Sequence, residues 1–329
     1  MAFLKAISYY QPEKVVTNTE LESQFGDVST TLRAMCVESR AWASEGETAG
    51  DLAICAAKKM FAEYSVSPGS IDFVIFCSQC MDYFLPSTSC IIQTRLGIPT
   101  SAGAFGMDLG CSGYVYGLAM ANSLVDSGTA SNVLLLTADT LTKFIHPEDK
   151  NLMLFGDAAA ASLVSKTGFA QIGKFVFGTD GSGAESLIVR NGASRHFEKS
   201  GKVWSDDAGN VHRDDHFFMD GEAIFNFTVE KVPLLINNCL QNNNLGKDDI
   251  GYYVFHQANK YMLNTLRKLN MIPKEKFFVD LSDTGNTSSS TVPVGIVKSM
   301  RNNSIQEGMN VMLAGFGVGL SWASTILKF

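Results

Sequence analysis

Three polar side chains stand where this chain could place reacting groups. Cys111 lies in D-L-G-C-S-G-Y-V-Y-G, where small residues meet a helical pattern that runs to about Asp126 and stops at Gly128. A cysteine at a helix N-terminus meets unpaired N–H groups and the positive end of the dipole. Both favour the thiolate, the form that attacks a thioester. His256 closes the apolar run Y-Y-V-F and opens H-Q-A-N, and strand ends in open α/β sheets present side chains to clefts. Asn286 sits in D-T-G-N-T-S-S-S-T-V-P. Near the end, G-F-G-V-G-L-S-W from Gly315 to Trp322 follows a buried-type strand and can offer backbone N–H groups to an oxyanion. Each also has an ordinary structural reading: a packed thiol at a tight turn, a satisfied core histidine, Gly-Asn turn chemistry, a connector between strands.

An internal repeat links these positions. The segment S-P-G-S-I-D-F-V-I-F-C-S-Q, ending at Gln79, resembles L-G-K-D-D-I-G-Y-Y-V-F-H-Q, ending at Gln257, and aligning Cys77 with His256 gives an offset of 179. G-M-D-L-G-C-S-G around Cys111 answers V-D-L-S-D-T-G-N-T around Asn286 at an offset of 175. N-V-L-L-L-T-A from Asn132 answers N-V-M-L-A-G-F from Asn310 at 178. Cys111 and Asn286 therefore occupy equivalent points of two copies, close to a pseudo-twofold junction.

Each half reads as four strands alternating with three helices. The apolar runs, about 4 to 8 residues long, suit strands buried on both faces. Two such sheets bury best by sharing a central helical layer, which predicts an α/β fold in five layers, α-β-α-β-α. The expected halves are 1–170, carrying the cysteine, and 171–329, carrying the histidine and asparagine. The segment 191–218 is polar, aromatic-studded and without period, and reads as a long functional loop or lid.

Composition excludes several classes. Hydrophobic residues at 46% against 18% charged, with 29 Gly and 8 Pro, suit a packed α/β protein rather than a disordered one. A net charge of -7 argues against nucleic acid or an anionic membrane as the main partner, since both reward a basic face. Apolar runs such as Val133 to Leu136 fall far short of the ~18 residues that span a bilayer. The first residues, M-A-F-L-K-A-I-S, show no charged leader with an apolar core and already alternate like a strand. The expectation is a soluble, cytoplasmic protein. Seven irregularly spaced cysteines then read as reduced thiols. Cys77 and Cys80 have zinc-like spacing, but no second pair completes four ligands, so no metal is expected.

At these residues the chain resembles the beta-ketoacyl-acyl-carrier-protein synthase III family, initiating condensing enzymes of the thiolase superfamily. The likeness spans nearly the whole chain. It rests on F-L-P-S-T-S-C-I-I-Q with L-G-I-P, D-L-G-C-S-G-Y, L-F-G-D-A-A-A-A, F-H-Q-A-N, G-N-T-S-S-S-T-V-P and G-F-G-V-G-L-S-W. The resemblance implies the thiolase-like five-layer sandwich and decarboxylative Claisen condensation. Cys111 would carry the acyl group, and a malonyl thioester on acyl carrier protein would be decarboxylated by His256 and Asn286, with His256 a hydrogen-bond donor at its working nitrogen. Backbone N–H groups of Cys111 and of Val318, next to Gly317, would hold the oxyanion, while Phe316 shields the thiol. No cofactor is implied, since acyl-coenzyme A or carrier thioesters are the substrates. A homodimer is implied, with Leu85 reaching the neighbour's acyl pocket, and Lys260, Arg267 and Lys268 would dock the carrier.

The departures from the family concern the donor. The adenine-stacking tryptophan and arginine fall at Thr30 and near Asp149 or Lys150, and a pantetheine-loop arginine falls at Ala34. A tunnel asparagine aligns with Glu222 and a docking arginine with Tyr261. The expected donor is accordingly a carrier-bound or unusual acyl group rather than acetyl-coenzyme A. Two rivals share the scaffold: an enzyme that only transfers acyl groups to oxygen or nitrogen, and a silent partner subunit of a synthase complex.

Overall fold

The computed structural model describes residues 1–205 and 211–329. The chain opens with β1 (Phe3–Tyr10), then a small ribbon, β2 (Val15–Thr17) with β3 (Ser39–Ala41), enclosing α1 (Asn18–Phe25) and α2 (Ser29–Met35). There follow α3 (Ala49–Tyr64), β4 (Phe73–Cys77), α4 (Thr88–Arg95), β5 (Gly103–Met107), α5 (Gly113–Asp126), β6 (Asn132–Asp139) and β7 (Ala158–Ser165). Short strands β8 (Ala170–Ile172), β9 (Val176–Thr179), β10 (Leu187–Val189), β11 (Val203–Ser205), β12 (Val211–Arg213) and β13 (Phe217–Met219) lead into α6 (Gly221–Asn242). The chain closes with β14 (Ile250–Phe255), α7 (Lys260–Leu269), α8 (Thr291–Arg301), β15 (Asn310–Gly317) and β16 (Ser321–Lys328).

Ten of the strands form one continuous sheet in the order β14-β15-β16-β8-β1-β7-β6-β4-β5, with β9 also paired to β16. Within it β4 runs parallel to β5 and β6, and β14 parallel to β15. The next strand in each group is antiparallel: β7 on β6, β16 on β15. Register carries the repeat further. Phe73 faces Val133 and Tyr252 faces Val311, so both members of the parallel pair recur at the spacing seen in the sequence. The counterpart of β5 is reduced to a single parallel bridge, Tyr253 to Phe277.

Three cores separate the layers. Leu52, Met60, Ile92 and Leu136 pack α3 and α4 onto one face. Val115, Leu118, Val254, Val292, Ile296 and Leu313 fill the middle around α5 and α8, which touch strands of both groups. Leu235, Leu263, Phe255 and Met312 seal the far face beneath α6 and α7. The five-layer thiolase-like sandwich is the fold.

Helix ends follow local chemistry. Thr48 and Asp51 close a capping box on α3, Asp220 caps α6 through Ala223 N–H, and Asn259 caps α7 through Met262 N–H. By contrast α5 has Ser112 at its N-cap with no side-chain cap. The segment 191–218 departs from the aperiodic loop expected of it. Within it β11 pairs with β12, and at its far end β13 pairs with β10, which precedes the segment. Three-residue strands are too short to leave an alternation in sequence. Residues 206–210 of that expected loop lie outside the described residues.

Close approach at the centre depends on glycine. A Cβ on Gly315 would sit 2.8 Å from Ser112 Cα and 2.9 Å from Cys111 O, against backbone that cannot yield. Gly315→Ala should therefore lose about 1–3 kcal/mol of stability in equilibrium urea unfolding, as expected of overpacking. A variant as stable as the parent would show that β15 and the start of α5 move apart freely.

Candidate active site

Cys111 stands one residue before the cap of α5, on the loop that follows β5. Two serines lock that loop to the C-terminal turn: Ser112 Oγ lies 2.6 Å from Ser321 Oγ, and Ser321 Oγ donates to Val318 O at 2.8 Å. The turn is thereby held over the sulfur. Val318 N–H, the N–H of Cys111 itself and the Ser288 side chain lie around Sγ and favour its charged form. Gly317 approaches so closely that a Cβ there would be 2.8 Å from Sγ.

Helix-end electrostatics led to an expectation of a thiolate, and the structure reverses it. Burial pushes the Cys111 thiol up to about 11, the buried Asp139 adds to the push, and the N–H groups only moderate it. The physical reason is one of size. A helix terminus contributes at most about 2 kcal/mol to a favourably placed charge, and taking a thiolate out of water outweighs that.

His256 follows β14 and extends its ladder by one bond, donating its backbone N–H to Ala314 O at 2.7 Å. Its ring meets Phe316 edge to face at 5.7 Å between centroids. Nδ1 lies 2.7 Å from Thr291 Oγ1. Burial pushes the imidazole down to about 3, with the nearby Ser288 backbone a smaller opposing influence, so the ring rests neutral near pH 7.

Asn286 is bridged in parallel to Phe155, donating its backbone N–H to Leu154 O and accepting from Gly156 N–H. Its amide orientation is fixed by Ser288 N–H, a donor that must face Oδ1, at 2.9 Å. Nδ2 is therefore the group left for a ligand, and its protein contact, to Ala258 O, is long at 3.4 Å.

One turn orients all three groups. Residues 288–290 are held by Asp139, a buried carboxylate at the end of β6 that accepts from Ser289 N–H and Oγ, from Gln79 N–H and from Ser78 Oγ. Burial raises Asp139 above the usual carboxylate range, and these donors oppose the rise. Sequence reasoning missed Asp139, Ser288, Ser289 and Thr291. The available signals were an acid closing the apolar strand L-L-L-T-A-D and the run S-S-S-T directly after Gly-Asn-Thr.

Cys111, His256, Asn286, Phe316, Gly317 and Val318 line one cavity of about 710 Å³. Leu187, Val189, Asn191, Phe217 and Met219 form part of its wall, so the 191–218 segment contributes at both ends. Leu85 does not line the cavity of its own chain. It is 83% exposed, beside Met81, Tyr83 and Phe84, which do. Lys260 is exposed between the cavity residues Asn259 and Met262, with Nζ 2.9 Å from Cys36 Sγ. Arg267 instead turns back onto Ile272 O at 3.1 Å, and Lys268 is exposed farther along α7. Tyr261 is exposed and stacks on Phe225. Among the described residues, no three His, Cys, Asp or Glu side chains converge to hold a metal.

Comparison with known proteins gives a consistent match. Residues 105–181 fit the family model for 3-oxoacyl-[acyl-carrier-protein] synthase III, and residues 240–329 fit the model for its C-terminal part. The beta-ketoacyl-[acyl-carrier-protein] synthase III of Caldanaerobacter subterraneus is 34% identical, over 97% of this chain and 95% of that protein. A crystal structure of a 3-oxoacyl-(acyl-carrier-protein) synthase III superposes with a TM-score of 0.96 at 44% identity, covering 100% of this chain and 99% of the other. The priming beta-ketosynthase of the R1128 polyketide pathway superposes at 0.88 with 27% identity, covering 100% and 96%.

The raised thiol has a direct readout. Between pH 7 and 10, alkylation of Cys111 by iodoacetamide should quicken about tenfold per pH unit, because the thiolate fraction rises all the way to about 11. A rate already level below pH 8 would mean a preformed thiolate.

Proposed function

The chain belongs to the 3-oxoacyl-[acyl-carrier-protein] synthase III family and is an acyl-transferring condensing enzyme, and from that premise we propose that Cys111, His256 and Asn286 carry its two half-reactions. In the first, Cys111 Sγ attacks an acyl thioester, its proton passes to the His256 ring and on to the departing thiol, and an acyl-cysteine remains. N–H groups of Cys111 and Val318 hold the carbonyl oxygen as it becomes an oxyanion. In the second, a malonyl thioester on acyl carrier protein loses carbon dioxide. The electron pair of the broken bond becomes an enolate whose oxygen is held by His256 and Asn286 Nδ2. The enolate carbon attacks the acyl-cysteine, releasing a beta-ketoacyl thioester and the free thiol.

The observation that carries this reading is the oriented Asn286 amide, sharing one cavity with a neutral imidazole and with the Cys111 sulfur, over which the Gly317–Val318 turn closes. Simple acyl transfer needs no such second donor beside the histidine. Phe316, edge to face with His256, screens the thiol from water.

Donor, partners and division of the chain belong to the same proposal. The acyl donor is carrier-bound or unusual rather than acetyl-coenzyme A, because Thr30, Ala34, Asp149 and Lys150 offer neither the aromatic stack nor the guanidinium groups of the family's adenine clamp. The carrier, or the small acyl thioester, enters beside the exposed Lys260 and Lys268 of α7, with Arg267 supporting that helix through Ile272 O. A second copy covers Met81, Tyr83, Phe84 and Leu85, an exposed apolar run at the cavity. Residues 1–170 and 171–329 are the two copies of the duplicated unit. The reaction belongs in the cytoplasm, where thiols such as its seven free cysteines stay reduced. Fatty acid initiation is the first assignment, and a polyketide or specialised lipid route is the alternative.

A panel of acyl thioesters read by intact mass should load Cys111, faster from acyl carrier proteins than from acetyl-coenzyme A. Asn286→Ala should keep the acyl mass yet lose carbon dioxide release by about a hundredfold or more. No acyl mass on Cys111 of the parent enzyme would overturn the assignment. Equal or faster loading from acetyl-coenzyme A would overturn the donor.

A further inference from the structure

The two half-reactions ask opposite things of one nitrogen. In acylation His256 Nε2 must take the Cys111 proton, and in decarboxylation it must give a hydrogen bond to the enolate oxygen. A neutral imidazole carries a single N–H, so what Nε2 does is decided by what Nδ1 does. We propose that Thr291 is the positioning residue that lets His256 serve both steps, through a hydroxyl able to accept from Nδ1 or to donate to it. The inference rests on the roles proposed above for Cys111, His256 and Asn286.

The geometry is specific. Thr291, the first residue of α8 and fully enclosed, places Oγ1 2.7 Å from His256 Nδ1 and 3.1 Å from Ser288 O. A carbonyl only accepts. Had Ser288 O alone faced Nδ1, the ring would be locked with its hydrogen on Nδ1 and Nε2 bare. The hydroxyl has two settings. When its hydrogen lies on Ser288 O, the oxygen accepts from Nδ1–H and Nε2 is a base aimed into the cavity. When its hydrogen turns to Nδ1, the ring hydrogen sits on Nε2 and the same nitrogen is a donor. Neither setting moves the backbone, because Asp139 holds Ser289 and the turn with it.

The proton count closes over a cycle. During acylation Nε2 takes the thiol proton as the sulfur–carbon bond forms, then passes it to the departing thiolate, leaving the ring with its hydrogen on Nδ1. Once that thiol has left, exchange with water in the cavity moves the single ring hydrogen from Nδ1 to Nε2 as the Thr291 hydroxyl turns. No atom is gained or lost. In the second step the carbon–carboxylate bond breaks, carbon dioxide leaves, and the new carbon–carbon bond expels the Cys111 thiolate, which takes a proton from solvent, while exchange with water returns the ring hydrogen to Nδ1 for the next acylation.

Nitrogen-15 spectra of histidine-labelled full-length enzyme test this directly. The ring hydrogen of His256 is expected on Nδ1 in the resting enzyme and on Nε2 after acylation of Cys111, and one tautomer throughout would overturn the proposal. Variants give an independent reading. In Thr291→Val, Ser288 O becomes the only acceptor near Nδ1, so acylation should stay within about threefold of the parent while carbon dioxide release from malonyl carrier falls about tenfold or more. Thr291→Ser should restore both rates. A fall of both half-reactions by one factor, without rescue by serine, would show a merely structural role and sink the idea. Failure of the parent enzyme to gain acyl mass would instead mark failure of the underlying catalytic assignment.

Discussion

A single buried contact ties the chemistry to the scaffold: the Asp139 carboxylate, at the end of β6, accepts from both the N–H and the hydroxyl of Ser289, 150 residues away. The same carboxylate takes Gln79 N–H and Ser78 Oγ from the end of β4. It thus joins two adjacent strand ends of the first half to the turn that orients Asn286 and His256 from the second. Burying a carboxylate is costly unless donors surround it, and here each lone-pair direction meets one. Once Ser289 is placed, Ser288 N–H sets the Asn286 amide and Thr291 begins α8 beside the imidazole.

The resting electrostatics follow from that enclosure. Burial disfavours charge on both partners, raising the thiol and lowering the imidazole, so the pair rests neutral. A preformed ion pair would demand desolvation of two charges in the same pocket, which is rarely repaid by their attraction alone. In the proposed reaction the preorganised donors would act on charge that develops on the thioester oxygens, where fixed N–H groups are most effective. The uncapped start of α5 fits this arrangement, since Ser112 spends its hydroxyl on Ser321 and leaves the helix-end N–H groups unopposed by a capping oxygen.

The cavity wall shows how function is added to such a scaffold. β10 and β13 frame the segment between them and contribute Leu187, Val189, Phe217 and Met219 to the wall, while Trp204, His212 and Phe218 pack into a small aromatic cluster of their own. That cluster lets a long excursion hold its shape without joining the main sheet. Changes in such a segment alter the wall beside Cys111 without touching the turn that orients Asn286 and His256.

The sequence by itself determined the architecture and pointed to three polar side chains that the fold gathers in one cavity. Apolar runs recurring at nearly one offset demand two similar groups of strands, and burying both requires a shared helical layer, an argument that depends on periodicity alone. Cys111, His256 and Asn286 were legible because they stand at strand or helix ends in motifs of recognisable spacing. Only the tertiary structure decided the state of those groups and what holds them. Asp139 and Ser289 read as an ordinary acid and an ordinary turn serine until folding brings them together, since a contact across 150 residues leaves no local pattern. The direction of the Cys111 shift was equally invisible. A helix terminus can be read from a few neighbouring residues, whereas desolvation depends on everything the fold packs around the sulfur, and in this site it is the larger effect.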